Sequence, residues 1–172
     1  LIDGETGTGK TLTAHALHAV GAKPGRKFVL TSCQSGDEAA LAERLFGGDG
    51  TIPLLEEARG GTLVLEHIEA LSPALQARLL AWIDAQGSPP ETRIIAICNL
   101  QEQGRTCEDA LRPDLFYRLA AIKITLPPLR SRGEDILTLF NRMTEQFAEE
   151  YGCEPPQVTA QEAAQLLQAP WP

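Results

Sequence analysis

At 172 residues, with 43% hydrophobic and 22% charged side chains, the chain is long enough for one domain with a real core and has an ordinary soluble composition. A net charge of −8 and a pI of about 4.9 leave no basic stripe for nucleic acid, so direct DNA contact by this segment is not expected. The apolar runs are far too short to span a membrane. Cys33, Cys98, Cys107 and Cys153 lack CxxC spacing and read as reduced cytosolic thiols, some buried in strands, rather than disulfides or zinc ligands.

Leu1-Ile2 reads as the end of a strand, and Thr11 to Val20 as a helix. Between them Gly4 to Thr11, GETGTGKT, fits the phosphate-loop pattern GxxxxGK[ST] in full. Gly4, Gly7 and Gly9 let the backbone curl so that its N–H groups face phosphate, and the following helix N-terminus adds a favourable dipole. Glu5, Thr6 and Thr8 complete this candidate cradle. Lys10 has the reach for the β- and γ-phosphates of ATP or ADP, and the Thr11 hydroxyl is a ligand for Mg2+. A sequence that opens with only two residues of its central strand is expected to belong to a longer protein.

A turn region at 21–25 precedes a short β-rich run, Lys27 to Thr31. Asp37 to Phe46 reads as a helix ended by Gly47-Gly48, and Pro53 to Arg59 as a short helix closed by Gly60-Gly61. Thr62 to Leu65 is a buried strand. Ser72 caps a helix with Pro73 at its first position, placing Leu75, Leu79, Leu80 and Ile83 on one face. Arg93 to Cys98 and Ala121 to Leu126 are two more strands. Strands alternating with helices predict an α/β domain with a central parallel five-stranded sheet. After Pro127-Pro128 only helices follow. Ser131 with Glu134, and Thr159 with Glu162, read as capping boxes for helices reaching Tyr151 and Gln168. These signals divide the chain into residues 1–129, a nucleotide-binding subdomain, and 130–172, the start of a helical lid.

Several segments then fall in one order: GETGTGKT, GGTLVLEHI, RIIAICN, RPDLFYRL, LPPLRSRGEDI and the terminal WP. Together they resemble the AAA+ P-loop NTPase domain of sigma-54-dependent, NtrC-like transcriptional activators, over essentially the whole chain. RPDLFYRL and LPPLRSRGEDI carry the specificity, since the phosphate loop alone is shared by many families. The branch of C4-dicarboxylate transport response regulators is as similar as any other. The resemblance implies the central domain of a bacterial two-component regulator working in the cytoplasm. It also implies a homo-oligomer, dimer or ring, contact with an RNA polymerase sigma factor, and DNA binding by a separate C-terminal domain. It places Asn99 at the sensor-I position near the γ-phosphate, and Arg112 and Arg118 at the two arginine-finger positions that reach the ATP of a neighbouring subunit. The sensor-II arginine of the family would follow Trp171-Pro172.

Three departures stand out. The family's Asp-Glu after the second nucleotide-binding strand is Glu66-His67 here. Glu66 retains the means to hold Mg2+ through water. His67 lacks a carboxylate's reach and charge for polarising the attacking water, although a histidine is a base in principle. Ser32 stands where the family has the Asn that restrains its catalytic glutamate. The GAFTGA loop that contacts sigma-54 is missing, because GGDGTIPLLEEARGG runs almost straight to the next strand.

The leading expectation is therefore an ATP-binding module that self-associates with weak or no hydrolysis. The alternative is a working AAA+ ATPase that remodels sigma-54 polymerase, with Glu66-His67 as neutral drift. A small-molecule kinase is disfavoured by the paired arginines and the lid sequence. His15 and His18, three apart on the first helix, lack a third metal ligand and read as ordinary helix residues. Arg112 and Arg118 also have a plain surface reading, and Cys98 a buried-thiol one.

Overall fold

The computed structural model describes residues 1–21, 25–48, 50, 52–87, 90–99 and 106–171. They form two compact units, Leu1–Leu126 and Pro127–Pro172. In the first, β1 (Ile2–Gly4), β2 (Phe28–Ser32), β3 (Thr62–Glu66), β4 (Arg93–Asn99) and β5 (Ile124–Leu126) build one sheet in the order β2-β3-β4-β1-β5, every pair parallel. β5 is shorter than Ala121 to Leu126, because the helix before it ends at Leu119 and the chain turns through Ala120 to Lys123 before pairing with β1.

The strands are near-continuous apolar runs because both faces of a parallel sheet are covered. The alternation within each run decides which cover each residue meets. Val64, Ile95 and Ile97 join Ile2 and Ala14 on the side of α1 (Lys10–Gly21). Leu63, Leu65, Ala96 and Cys98 join the larger core on the other side, with α2 (Glu38–Phe46), α3 (Leu54–Glu57), α4 (Pro73–Ala85), α5 (Cys107–Ala110) and α6 (Pro113–Leu119). On α4, Leu75 and Leu79 are buried, whereas Leu80 and Ile83 are half-buried against the same core. The Asp37 side chain caps α2 by accepting from the Ala39 and Ala40 amides, and Ser72 caps α4 at the Leu75 amide. Of the turn expected at 21–25, residues 22–24 lie outside the described set, as do Asp49, Thr51 and Pro172.

The second unit holds α7 (Asp135–Tyr151) and α8 (Ala160–Gln168). The Thr159–Glu162 capping box forms as expected. The Ser131–Glu134 box does not. Ser131 ends a 3-10 turn, Gly133 takes φ +55°, and Glu134 itself occupies the cap position of α7 without a side-chain bond.

Two fold-determining contacts yield direct tests. Asp3 is 2% exposed and its carboxylate pairs with Lys123 at 2.9 Å. Removing only the cation strands a buried charge, so Lys123→Met should cost about 3 kcal/mol in denaturant unfolding, with Asp3→Asn recovering much of the loss in the double variant. Gly61 packs against the Lys27 backbone so closely that a Cβ would run into the carbonyl oxygen. Gly61→Ala should therefore lower stability by about 1–3 kcal/mol in the same melt.

Candidate functional site

Parallel register brings the carboxyl ends of the strands to one rim. Gly4 pairs with Asn99, and Glu66 pairs with Ile97 and Ser32. In open α/β sheets this rim is where ligands bind, at strands whose connections diverge. β1 sits between β4 and β5 and delivers the phosphate loop there. The loop needs glycine at its first position for two reasons. Gly4 has φ +152°, and a Cβ would meet the Leu126 carbonyl oxygen at 2.7 Å.

A cleft of about 350 Å3 opens at this rim, lined by Thr6, Gly7, Gly9, Lys10, Thr11 and Leu12 from the loop and α1, and by Glu66, His67, Ile97 and Asn99 from β3 and β4. Of the residues expected from sequence, Gly4, Glu5 and Thr8 shape the loop without lining the cleft. The Lys10 ammonium donates to the Gly4 carbonyl at 2.9 Å and to the Glu5 carbonyl at 2.6 Å, and the Thr8 hydroxyl donates to the Glu5 carbonyl at 2.8 Å. Burial lowers the Lys10 pKa, and the negative groups around it pull the other way, Glu69 most strongly.

Thr11 Oγ1 donates to Glu66 Oε1 at 2.5 Å across 55 residues of sequence. A hydroxyl and a carboxylate brought to one point beside a phosphate loop are the hard oxygen donors that Mg2+ takes, supplemented by water and phosphate. The donor set fits that ion.

His67 departs from ordinary geometry. With φ 53° and ψ 45° it is the one non-glycine residue in the left-handed region among the described residues, a conformation that costs about 1 kcal/mol or more. Its Nδ1 lies 2.7 Å from Asn99 Nδ2 and 3.6 Å from Glu69 Oε1. The Ser32 hydroxyl accepts from the Gln34 amide at 3.2 Å, so the imidazole pairs with β4 rather than with the serine on β2. Glu69 was missed by sequence reading. It lies outside the motifs, and only the 3-10 turn of Ile68–Ala70 folds its carboxylate back to accept from the Asn99 N–H at 3.3 Å.

Arg112 and Arg118 stand apart from the cleft. Arg112 makes a two-point pair with Asp114, and Arg118 pairs with Asp84 of α4. Both side chains are about half exposed. The Arg112 backbone is pinned by the buried Gln76, whose Oε1 accepts its N–H at 2.7 Å while Nε2 donates to the Leu71 and Ala110 carbonyls. Gln76 also gave no signal in the sequence. The remaining candidates have structural partners. His15 stacks on Phe28, and His18 Nδ1 lies 2.8 Å from Thr62 Oγ1. Among the described residues no cluster of three metal-ligating side chains occurs. Cys33, Cys98 and Cys107 are buried and unbridged. Burial pushes the Cys33 thiol up to about 12, and the Cys107 thiol together with burial raises that of Cys98, so neither is poised as a nucleophile. No helix among the described residues is long and apolar enough to cross a membrane.

With this geometry in place, comparison with known proteins is informative. The C4-dicarboxylate transport transcriptional regulatory protein DctD of Rhizobium meliloti (strain 1021) is 32% identical over 190 aligned positions, covering 100% of this chain and 41% of that protein. Crystalline NtrX from Brucella abortus, in complex with ATP, superposes with a TM-score of 0.84 at 29% identity, covering 99% of this chain and 42% of that one. The P-loop NTPase domain of a sigma-54 transport activator from E. coli matches at TM-score 0.54 and 26% identity, over 74% of this chain and 82% of that one. The chain thus spans about two fifths of the length of DctD and NtrX. The sigma-54 interaction domain model matches residues 1–125. An AAA+ P-loop fold and a family match over most of the sequence agree: the chain belongs to the sigma-54 interaction domain family.

Proposed function

We propose that this chain is the ATP-binding central domain of a bacterial two-component transcriptional regulator of the cytoplasm, which binds ATP or ADP with Mg2+ and self-associates in response to nucleotide with weak or no hydrolysis. The observation that carries this reading is the meeting of Lys10, Thr11, Glu66, His67 and Asn99 around one cleft. Thr11 and Glu66 would hold the cation, which neutralises phosphate charge when bound. Lys10, which donates to loop carbonyls here, would exchange them for β- and γ-phosphate oxygens. Asn99 and His67, which line the same cleft, would meet the terminal phosphate.

The weak-hydrolysis reading rests on His67. A catalytic glutamate offers a free carboxylate to the attacking water. Here the imidazole's Nδ1 is engaged by Asn99 at 2.7 Å, and the Ser32 hydroxyl is held locally by the Gln34 amide. The shortened segment after Leu45-Phe46-Gly47 fits a regulator that has lost the usual sigma-54 contact; alignment with DctD runs over 190 positions against 172 residues here. Such a protein would work with another sigma factor or as a repressor, with DNA held by a separate domain.

Arg112 and Arg118 are assigned to the neighbouring subunit's nucleotide. Their pairs with Asp114 and Asp84 are exposed to solvent, where screening weakens ion pairs, so a neighbour's phosphates can displace them. The alternative, an active ATPase that remodels sigma-54 polymerase, is favoured by the intact phosphate loop and the retained Arg112 and Arg118.

Steady-state turnover decides between the two. The wild type should hydrolyse ATP at a rate close to that of the Lys10→Ala control, while His67→Glu should raise turnover about tenfold or more, within the range a positioned acid–base group supplies. Robust turnover that depends on Lys10 would sink the weak-hydrolysis reading. Mass measurement in solution should show larger assemblies with Mg2+ and ATP than without nucleotide, and Arg118→Ala should reduce that gain. An unchanged mass distribution with ATP would argue against nucleotide-dependent assembly.

A further inference from the structure

Glu69 is the residue of this site that neither motif nor family position points to. Its side chain is 9% exposed. Oε1 accepts from the Asn99 N–H at 3.3 Å and lies 3.6 Å from His67 Nδ1. Oε2 is buried and meets no conventional hydrogen-bond donor among the described residues, the Cys98 thiol being the weak donor beside this carboxylate. A buried, half-satisfied carboxylate is costly and persists only where the surroundings over-determine it. Glu69 also sits electrically inside the site, since no other charge acts on Lys10 as strongly, Glu66 included. It does not line the cleft, whereas His67 and Asn99, which it contacts, do.

Asn99 Nδ2 lies 2.7 Å from His67 Nδ1, and this contact joins the two side chains, with donor and acceptor roles set by the imidazole tautomer. Both side chains line the cleft, so His67 brings its imidazole there and Asn99 its amide. The backbone of both must be fixed for this pair to hold. Asn99 is fixed at its N–H by Glu69. His67 is held in its left-handed turn by the 3-10 segment that carries Glu69, where the Ala70 N–H donates to the His67 carbonyl at 2.9 Å.

We propose that Glu69 is a positioning residue that locks His67 and Asn99 into one unit reading the terminal phosphate, and that it thereby sets the chain's preference for a nucleoside triphosphate over a diphosphate. The inference rests on the nucleotide-binding reading above. A diphosphate is gripped by the loop and Lys10. Only a triphosphate extends to the His67–Asn99 pair.

Calorimetric titration of the full chain with magnesium ATP and magnesium ADP tests it. The wild type should bind ATP more tightly than ADP. Glu69→Ala should cut that ratio about tenfold, the worth of one hydrogen bond to a charged group. Glu69→Gln, which keeps an oxygen for the Asn99 N–H, should retain most of it. His67→Ala should abolish the preference, and adding Glu69→Ala to it should change the ratio no further. An equal fall in both affinities for Glu69→Ala would show a merely structural residue and overturn the proposal. So would an unchanged ratio, a wild-type ratio near one, or full additivity with His67→Ala. If the wild type binds neither nucleotide, and Lys10→Ala behaves identically, the nucleotide reading itself fails and takes this inference with it.

Discussion

Everything at the candidate site depends on the in-register pairing of parallel strands. Gly4 opposite Asn99, and Glu66 opposite Ile97 and Ser32, put four chemically active strand ends on one rim. Parallel pairing permits this because each strand returns through a helix and re-enters at the same end of the sheet. The apolar alternation of β3 and β4 holds the register. A one-residue slip would move Val64, Ile95 and Ile97 to the wrong face. It would also carry Glu66 away from Thr11, and the hydrogen bond between them would be lost.

The electrostatics of the rim follow from that geometry. Lys10 is buried among carbonyls and carboxylates, and its charge is sustained by Glu69, Asp3 and Glu66 against the cost of desolvation. Two carboxylates near one cleft would be a liability for binding a polyanion if both faced it. The structure separates their positions. Glu66 lines the cleft with Thr11, and Glu69 accepts from the Asn99 N–H without lining it. The Arg112 and Arg118 pairs lie outside the cleft and draw on acidic neighbours of their own.

Family membership and local departure are compatible. DctD and NtrX share the chain's full length at about 30% identity, which is ample to preserve a buried sheet and a phosphate loop. Activity depends on fewer residues. At His67 the backbone takes a left-handed turn and the side chain meets Asn99, while the β3–β4 ladder beneath it stays in register.

The sequence by itself determined the α/β class, the five strands, the phosphate loop and the family, because these rest on periodicity, glycine placement and contiguous motifs. It also located Thr11 through the phosphate-loop motif, and Glu66, His67 and Asn99 beside recognisable strand ends. It misplaced the start of β5 and read a Ser131 capping box that a 3-10 turn pre-empts, since the local signal there does not reveal how the preceding residues turn. Only the tertiary structure decided that Thr11 and Glu66 touch, that His67 pairs with Asn99, and that Glu69 and Gln76 are buried supports of the residues the motifs name. Those contacts join residues 30 to 55 positions apart. A buried glutamate or glutamine is indistinguishable from a solvated one until packing brings its partner within about 3 Å.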